Sequence, residues 1–163
     1  MPLPSQTAGA KQTGACSPKE TDLKIRPGVA AVIRDAEGRV LLHCRRVGGG
    51  WAPPSGSLEP GEDIHAGLLR ELREETELMV DVERLVGVYS DPAYQIVHYP
   101  DGRAIQFVTC LFACRLHGGT LRGSEEGTAW AWFSPASLPA DLTPYARVWL
   151  QDALSGEART LVR

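Results

Sequence analysis

The stretch from Gly56 to Leu78 constrains this chain more than any other part of its sequence. It reads GSLEPGEDIHAGLLRELREETEL, with a glycine at its start, an isolated acid at Glu62 and a dense charged run near its end. A helix over the second half would place three carboxylates at positions i, i+3 and i+4, and so on one face: Glu71, Glu74 and Glu75. Carboxylates on one face repel each other, and a divalent cation is the usual group that balances their charge.

The spacing of these residues resembles the Nudix box, Gly-x5-Glu-x7-Arg-Glu-U-x-Glu-Glu-x-Gly-U, in which U is a bulky aliphatic residue. Eight positions fit it: Gly56, Glu62, Arg70, Glu71, Leu72, Glu74, Glu75 and Leu78. Six specific identities at fixed spacing would arise by chance at roughly 1 in 10⁷ per start site, given ordinary usage of about 5–7 % per residue. The chain therefore resembles the Nudix (MutT-type) hydrolase family, more loosely over residues 28–139.

One position departs from the box, because Glu77 stands where the family has a glycine. That glycine is expected to end the helix in a left-handed conformation. A glutamate in the same conformation would cost roughly 1 kcal/mol. The helix either accepts this cost, ends in another way or runs slightly longer.

The resemblance implies that the three clustered glutamates bind metal. Glu74 and Glu75 match metal ligands of the family, and Glu71 matches a ligand that serves as the base in some members. Mg²⁺ keeps several waters and is commonly held by few carboxylates together with substrate phosphates. We therefore expect Mg²⁺, or Mn²⁺ as a substitute, to neutralise a diphosphate and lower the pKa of an attacking water.

Further positions complete the site that the resemblance implies. Gly56 begins the box with a turn and is assigned to the metal site together with Glu62, which matches a supporting acid. Arg70 matches an arginine that holds a glutamate by a charge-assisted hydrogen bond. Glu126 precedes a Trp-Phe pair at the offset where many relatives carry a loop acid that reaches the metal, although such an acid can equally be a turn residue. The expected catalytic set is Arg70, Glu71, Glu74 and Glu126.

The composition fits one globular domain and argues against broad binding to nucleic acid. With 163 residues, of which 43 % are hydrophobic and 23 % charged, the chain can bury a sizeable core. A formal net charge of −3 argues against broad binding to a nucleic acid backbone. An anionic substrate would need local help from metal ions or arginines. Arg45 and Arg46 could meet a phosphate or be ordinary surface residues.

The sequence predicts a cytoplasmic protein. Its first 25 residues contain no apolar run of signal-peptide length, and no segment approaches the length of a membrane span. The cysteines form no metal-spaced pair and are expected to be free or buried thiols in a reducing compartment: Cys16, Cys44, Cys110 and Cys114. We expect a small nucleotide or nucleoside diphosphate derivative as the partner, and neither nucleic acid nor membrane. Many family members are dimers, which leaves a homodimer open.

The order of elements predicts a mixed fold. Residues 1–24 have little to bury and are expected to form a flexible tail before a domain over residues 25–163. Asp63 is a suitable N-cap for a helix to about Thr76, and Thr143-Pro144 begins a closing helix to about Leu154. Strands are predicted over 28–34, 39–45, 80–89, 93–98, 104–116 and 129–133. Because parallel βαβ alternation is absent, the Nudix fold implied by the resemblance is favoured: an α/β/α sandwich of the α+β class with a mixed sheet between helices.

Two alternatives to a pyrophosphohydrolase stay open. A catalytically inactive nucleotide sensor on the same fold would be favoured by loss of the box acids, and none is lost. An isomerase of the isopentenyl diphosphate type would need a reactive cysteine, for which Cys44 is the nearby option. Three aromatics could stack on a base or pack in the core: Trp51, Tyr94 and Tyr99.

Overall fold

The computed structural model describes residues 23–163, so the expected tail lies outside this range apart from its last two residues. Within the described range nine strands form one sheet. They are β1 (Lys24–Arg34), β2 (Val40–Arg45), β3 (Trp51–Ala52), β4 (Ser55–Ser57), β5 (Leu78–Tyr89), β6 (Ile96–His98), β7 (Ala104–Gly119), β8 (Gly127–Phe133) and β9 (Leu161–Val162). The helices of this range are α1 (Ile64–Thr76), α2 (Pro92–Gln95) and α3 (Pro144–Leu154).

The sheet is mixed, which confirms the expected fold class. Strand β1 pairs in parallel with β7 along its whole length and antiparallel with β2 and β4. Strand β5 pairs antiparallel with β7 and in parallel with β9, while β2 also pairs with β3 and β8. The main strand order is β3-β2-β1-β7-β5-β9.

Strand β1 alternates its buried side chains between two hydrophobic cores. Val29, Ala31 and Ile33 pack in a cluster with Leu68 and Leu72 of α1. Ala30 and Val32, which alternate with them along β1, belong to a second cluster together with Trp149 and Leu150 of α3. Since successive side chains of a strand point to opposite faces, the sheet lies between α1 and α3.

Helix α1 has the boundaries that local sequence signals predict. The Asp63 side chain accepts a hydrogen bond from the backbone N–H of Ala66 at 2.8 Å, which caps the first turn. The helix ends at Glu77, whose φ of 56° and ψ of 16° are left-handed, with its N–H bonded to the Arg73 carbonyl. Glu77 therefore takes up the conformation expected of the family glycine. Leu68 and Leu72 of this helix are buried, whereas Ile64 at its start is 41 % exposed.

Segment 92–98 differs from the predicted strand over 93–98. Asp91 accepts a hydrogen bond from the backbone N–H of Ala93 at 2.9 Å, and Pro92 occupies the first helical position. This capping produces the short helix α2, and only residues 96–98 pair with β7. Helix α3 begins at the predicted Thr143-Pro144 cap, and its end at Leu154 also agrees with the sequence. The short strand β9 was not predicted.

Two further expectations concern the membrane and the thiols. None of the helices in residues 23–163 has the length and hydropathy needed to cross a bilayer. Cys44, Cys110 and Cys114 are free thiols, and Cys16 lies outside the described residues.

Candidate active site

Strand β4 lies beside helix α1, and this packing places the carboxylate of Glu71 directly against the backbone of Gly56. A Cβ atom added to Gly56 would lie 2.0 Å from Cδ of Glu71, far inside the 3.0 Å that real Cβ contacts respect. The Glu71 side chain is only 15 % exposed. Glycine at residue 56 is therefore what leaves room for this carboxylate beside the strand.

Arg70 ties the acids of this region together. Its Nε and Nη2 atoms donate to the two carboxylate oxygens of Glu62, at 2.9 and 2.6 Å. Its Nη1 donates to Glu71 at 2.9 Å and to Glu74 at 3.2 Å, and Nη2 also reaches the Ser57 carbonyl. These bonds raise the pKa of Arg70, and the Arg70 guanidinium lowers the pKa of Glu62 to about 2. Glu62 is thus held as a carboxylate whose two oxygens both face Arg70.

Glu75 carries a buried carboxyl group. The residue is 2 % exposed, and neither of its oxygens makes a hydrogen bond of good geometry within residues 23–163, although the Glu126 carboxyl and the Ser55 backbone lie near it. Burial, together with the nearby Glu126 and Glu71 carboxylates, raises the pKa of Glu75 to about 10. A buried carboxylate that lacks a partner is costly, and it either keeps a proton or binds a cation. Glu75 is therefore chemically suited to bind a cation.

The remaining box acids differ in their surroundings. Burial raises the pKa of Glu71, while the Arg70 guanidinium opposes that change. Glu74 lies at the solvent edge, with its side chain 59 % exposed. Among the described residues, no three acidic, histidine or cysteine side chains are close enough to enclose a metal ion. The carboxylate oxygens nevertheless suit Mg²⁺, which takes few protein ligands and completes its shell with water and substrate phosphate.

The loop between β7 and β8 brings Glu126 to these acids. The backbone N–H groups of Arg122 and Ser124 donate to the carbonyls of Thr76 and Glu75, at 3.0 and 2.9 Å. Those carbonyls belong to the last turn of α1 and would otherwise lack partners. The loop is thereby fixed against the helix that carries the box acids, and Glu126 is close enough to raise the pKa of Glu75.

A cavity of about 270 Å³ opens beside the acids. Gly56, Glu71 and Glu126 line one part of it. Four aromatic residues line another part of it: Tyr99, Phe107, Tyr145 and Trp149. The cavity therefore joins a carboxylate cluster to an aromatic wall, an arrangement that suits a ligand with a charged end and a planar end.

Some of the residues whose roles the sequence left open line the cavity, and others do not. Arg45 lines the cavity, donates to the Tyr145 hydroxyl and lies over the Tyr145 ring, whereas the Arg46 side chain donates to the Glu125 carbonyl. Tyr99 lines the cavity, whereas Trp51 and Tyr94 pack against the hydrophobic core that contains Trp149 of α3. Cys44 is not among the residues that line the cavity.

The sequence alone did not point to several residues at or near the cavity. Gly67 packs α1 against the chain that precedes it, since an added Cβ would lie 2.4 Å from Leu58 and 2.8 Å from Glu62. A glycine inside a helical pattern is the signal that could have revealed it. Gln95, Tyr145 and Trp149 line the cavity from α2 and α3. No local pattern marks those three, because their common position arises only from the fold.

Comparison with known proteins places this geometry in context. The NUDIX domain family model matches residues 24–153. A MutT-like protein of Streptomyces ambofaciens is 34 % identical over 128 residues, which cover 78 % of this chain and 76 % of the relative. An ADP-ribose pyrophosphatase of Methanocaldococcus jannaschii is 32 % identical over 130 residues, covering 74 % and 73 %. The crystal structure of a MutT protein from Methanosarcina mazei shares the fold, with a TM-score of 0.68, 21 % identity and coverage of 85 % and 99 %.

Proposed function

The chain belongs to the Nudix family and is a pyrophosphohydrolase of that family, and we propose that it depends on Mg²⁺ to cleave the diphosphate linkage of a nucleoside diphosphate derivative or a nucleoside triphosphate. Water attacks phosphorus in this reaction. The observation that carries the proposal is Glu75, whose two buried oxygens lack hydrogen bonds of good geometry within the described range beside Glu71 and Glu126. These residues fit a divalent cation because they offer hard oxygen donors and an excess of negative charge.

The side chains of the site have two kinds of proposed role, which are metal binding and the positioning of metal-binding groups. Glu71 and Glu75 would hold the cation from the buried part of the site, Glu74 would do so from the solvent edge, and Glu126 would contribute from the loop. When bound, Mg²⁺ neutralises phosphate charge and makes an attacking water more acidic. Arg70 keeps Glu71 in position through the hydrogen bond at 2.9 Å. Glu62 keeps Arg70 in position through the two-point ion pair, so these two residues act through their neighbours.

The cavity and the relatives bear on the substrate. The aromatic part of the cavity fits a planar group joined to the diphosphate. The relative from Methanocaldococcus jannaschii is named an ADP-ribose pyrophosphatase, which supports nucleoside diphosphate derivatives as the first compounds to test. Nucleoside triphosphates form the second group.

The test is hydrolysis of a nucleotide panel with Mg²⁺ or Mn²⁺, with products separated by chromatography. The double variant Glu74→Gln, Glu75→Gln should lose nearly all turnover, because it removes both charges from the metal site. Glu77→Gln is the matched control, since it removes a carboxylate just past the same helix, outside the proposed site. Full turnover in the double variant would rule out the assigned metal ligands. Nucleotide binding without any product from the native protein would instead favour the inactive sensor.

We also expect this activity in the cytoplasm, on small nucleotides, without a nucleic acid or membrane partner. A homodimer stays a prediction from the family resemblance. Sedimentation equilibrium over a range of protein concentrations measures it directly, and a single species at the monomer mass of 17.7 kDa would contradict it.

A further inference from the structure

Gln95 is a buried residue of the cavity whose amide has a defined orientation. Its side chain is 2 % exposed, and its Nε2 atom donates to the backbone carbonyl of Tyr89 at 2.8 Å. A carbonyl oxygen only accepts hydrogen bonds, so this contact identifies which end of the amide is nitrogen. The backbone is fixed as well, because the Gln95 N–H donates to the Asp91 carbonyl at 2.9 Å.

The side-chain amide of Gln95 makes one hydrogen bond with the described part of the chain. A glutamine side chain has two N–H donors and a carbonyl oxygen that accepts. Within residues 23–163, one donor is bonded to the Tyr89 carbonyl, and no donor is bonded to the side-chain oxygen. The other N–H and the C=O therefore form an adjacent donor and acceptor on a residue that lines the cavity.

The residues around Gln95 indicate what kind of ligand would bond to its free N–H and C=O. Tyr145 and Trp149 lie with ring centroids 4.6 Å apart, and Phe107 lines the same cavity. Aromatic rings beside a fixed amide suit a planar ring that carries hydrogen-bonding atoms on its edge. Glu71 and Glu126 line the same cavity, where the diphosphate of such a ligand would lie.

We propose that Gln95 is a specificity-determining residue that recognises the edge of the substrate's nucleobase. Its free N–H donates to an acceptor on the base, and its carbonyl accepts from the neighbouring N–H, as in other two-point contacts between glutamine and a base. The inference rests on the proposed function, because it assigns a role within the site of that reaction. A base that lacks one of the two atoms leaves a buried polar group of Gln95 unpaired, which disfavours binding.

Gln106 supplies a matched control. Its Nε2 donates to the backbone carbonyl of Ser90 at 2.8 Å, the same kind of bond that Gln95 makes, yet Gln106 does not line the cavity. Gln106→Leu therefore removes an equivalent bond to the backbone. Only Gln95→Leu also removes the amide from the cavity.

The experiment measures the binding of nucleoside monophosphates, which needs no hydrolysis, through the fluorescence of the tryptophans. AMP, GMP, CMP and UMP are compared with two analogues that lack part of the base edge, purine riboside and 2-pyrimidinone riboside 5′-monophosphates. We expect the best natural nucleotide to bind about 10-fold or more tightly than the analogue with its ring, in the native protein and in Gln106→Leu. In Gln95→Leu the difference should fall below about 3-fold.

Three results would overturn the proposal. They are equal binding of nucleotide and analogue by the native protein, an unchanged preference in a folded Gln95→Leu variant, and binding of ribose 5-phosphate as tight as that of the best nucleotide. If circular dichroism shows that Gln95→Leu does not fold, the native comparison decides alone. Loss of hydrolysis without loss of base preference would instead count against the proposed reaction and leave Gln95 in its role.

Discussion

The indole ring of Trp130 occupies the space directly over Gly123, in the loop that carries Glu126. A Cβ atom on Gly123 would lie 2.1 Å from Cδ1 of the indole, and one on Gly127 would lie 2.9 Å from its Nε1. Trp130 also stacks on His43, with ring centroids 4.7 Å apart and an angle of 20° between the planes. The loop can approach this aromatic pair because glycines stand on both sides of Glu126.

Gly123→Ala should therefore displace the loop and Glu126 with it. We expect kcat to fall about 10- to 100-fold, since small displacements of a catalytic group have effects of this size. The measurement is steady-state turnover at saturating Mg²⁺. Gly118→Ala serves as the control because its Cβ would meet only the flexible end of Met79. Equal turnover in the two variants would show that the loop position is unimportant.

Gly56→Ala should displace Glu71, because the new methyl group needs the space that the carboxylate occupies. We expect a loss of activity of about 100-fold or more, with the far-ultraviolet circular dichroism spectrum preserved. The variant should also need more Mg²⁺ for half-maximal turnover. Native kinetics in Gly56→Ala would mean that the Glu71 carboxylate can move without consequence.

Arg70→Lys should be damaging although it preserves the charge. A lysine cannot make the two-point contact with Glu62 and also reach Glu71 and Glu74. We expect activity to fall about 10- to 100-fold, the usual effect of losing a group that orients metal ligands. Arg73→Lys is the control on the same helix, because Arg73 is exposed and its side chain has no ion pair within the described residues. Similar losses in both variants would count against a special role for Arg70.

The raised pKa of Glu75 predicts how metal-free protein responds to pH. In the folded protein this group keeps its proton up to about pH 10, whereas the unfolded chain releases it near the ordinary value of 4.5. Between these values the folded state binds more protons, so the free energy of unfolding should decrease as pH rises. Thermal melts in EDTA from pH 5 to 9 should show a steeper decrease for the native protein than for Glu75→Gln.

Binding of Mg²⁺ should expel the same proton. Near pH 8 we expect about one proton released per site in the native protein and clearly fewer in Glu75→Gln. Calorimetric titration in two buffers with different ionisation enthalpies measures the number released. Equal release by both proteins would assign the proton to another group.

Glu77→Gly should stabilise the protein. A left-handed glutamate costs about 1 kcal/mol, and removing that cost is partly offset because glycine gives the unfolded chain more backbone freedom. We expect a net gain of about 0.5 kcal/mol in the free energy of urea-induced unfolding. The exposed Glu77–Arg122 contact at 3.7 Å is lost as well, and Arg122→Ala measures its small share. A destabilised Glu77→Gly variant would show that the side chain contributes more than its strain.

Short-range signals explain most of what the sequence predicted correctly. The caps of α1 and α3 lie within a few residues of the helices that they begin, and the box acids are separated by fixed helical spacings. Glu126 lies near Glu75 in the structure, while its role at a metal site stays a prediction from its offset to Trp132 and Phe133. The strands were mostly placed well, although β1 begins four residues earlier than predicted because its first residues pair with β7.

Long-range assembly explains what the sequence could not predict. Strand β9 is too short to have a pattern and forms only because β5 offers it an edge. Gln95 and Trp149 meet in one cavity although 54 positions separate them in the sequence. The predicted strand over 93–98 includes Gln95, because a strand pattern there outweighs the local Asp91-Pro92 cap, and only the fold shows that the Gln95 amide is buried.

Because two hydrophobic cores lie on opposite sides of β1, helices α1 and α3 are stabilised by largely separate sets of contacts. Helix α1, which carries the acids, packs on one core, and α3, which supplies Tyr145 and Trp149, packs on the other. Substitutions in separate cores share few partners, and their effects on the free energy of unfolding should therefore add. Under the proposed function, a lineage that exchanged Tyr145 or Trp149 would change the preferred compound without disturbing the helix that carries the box acids. Selectivity and reactivity are thus open to separate evolution within one small domain.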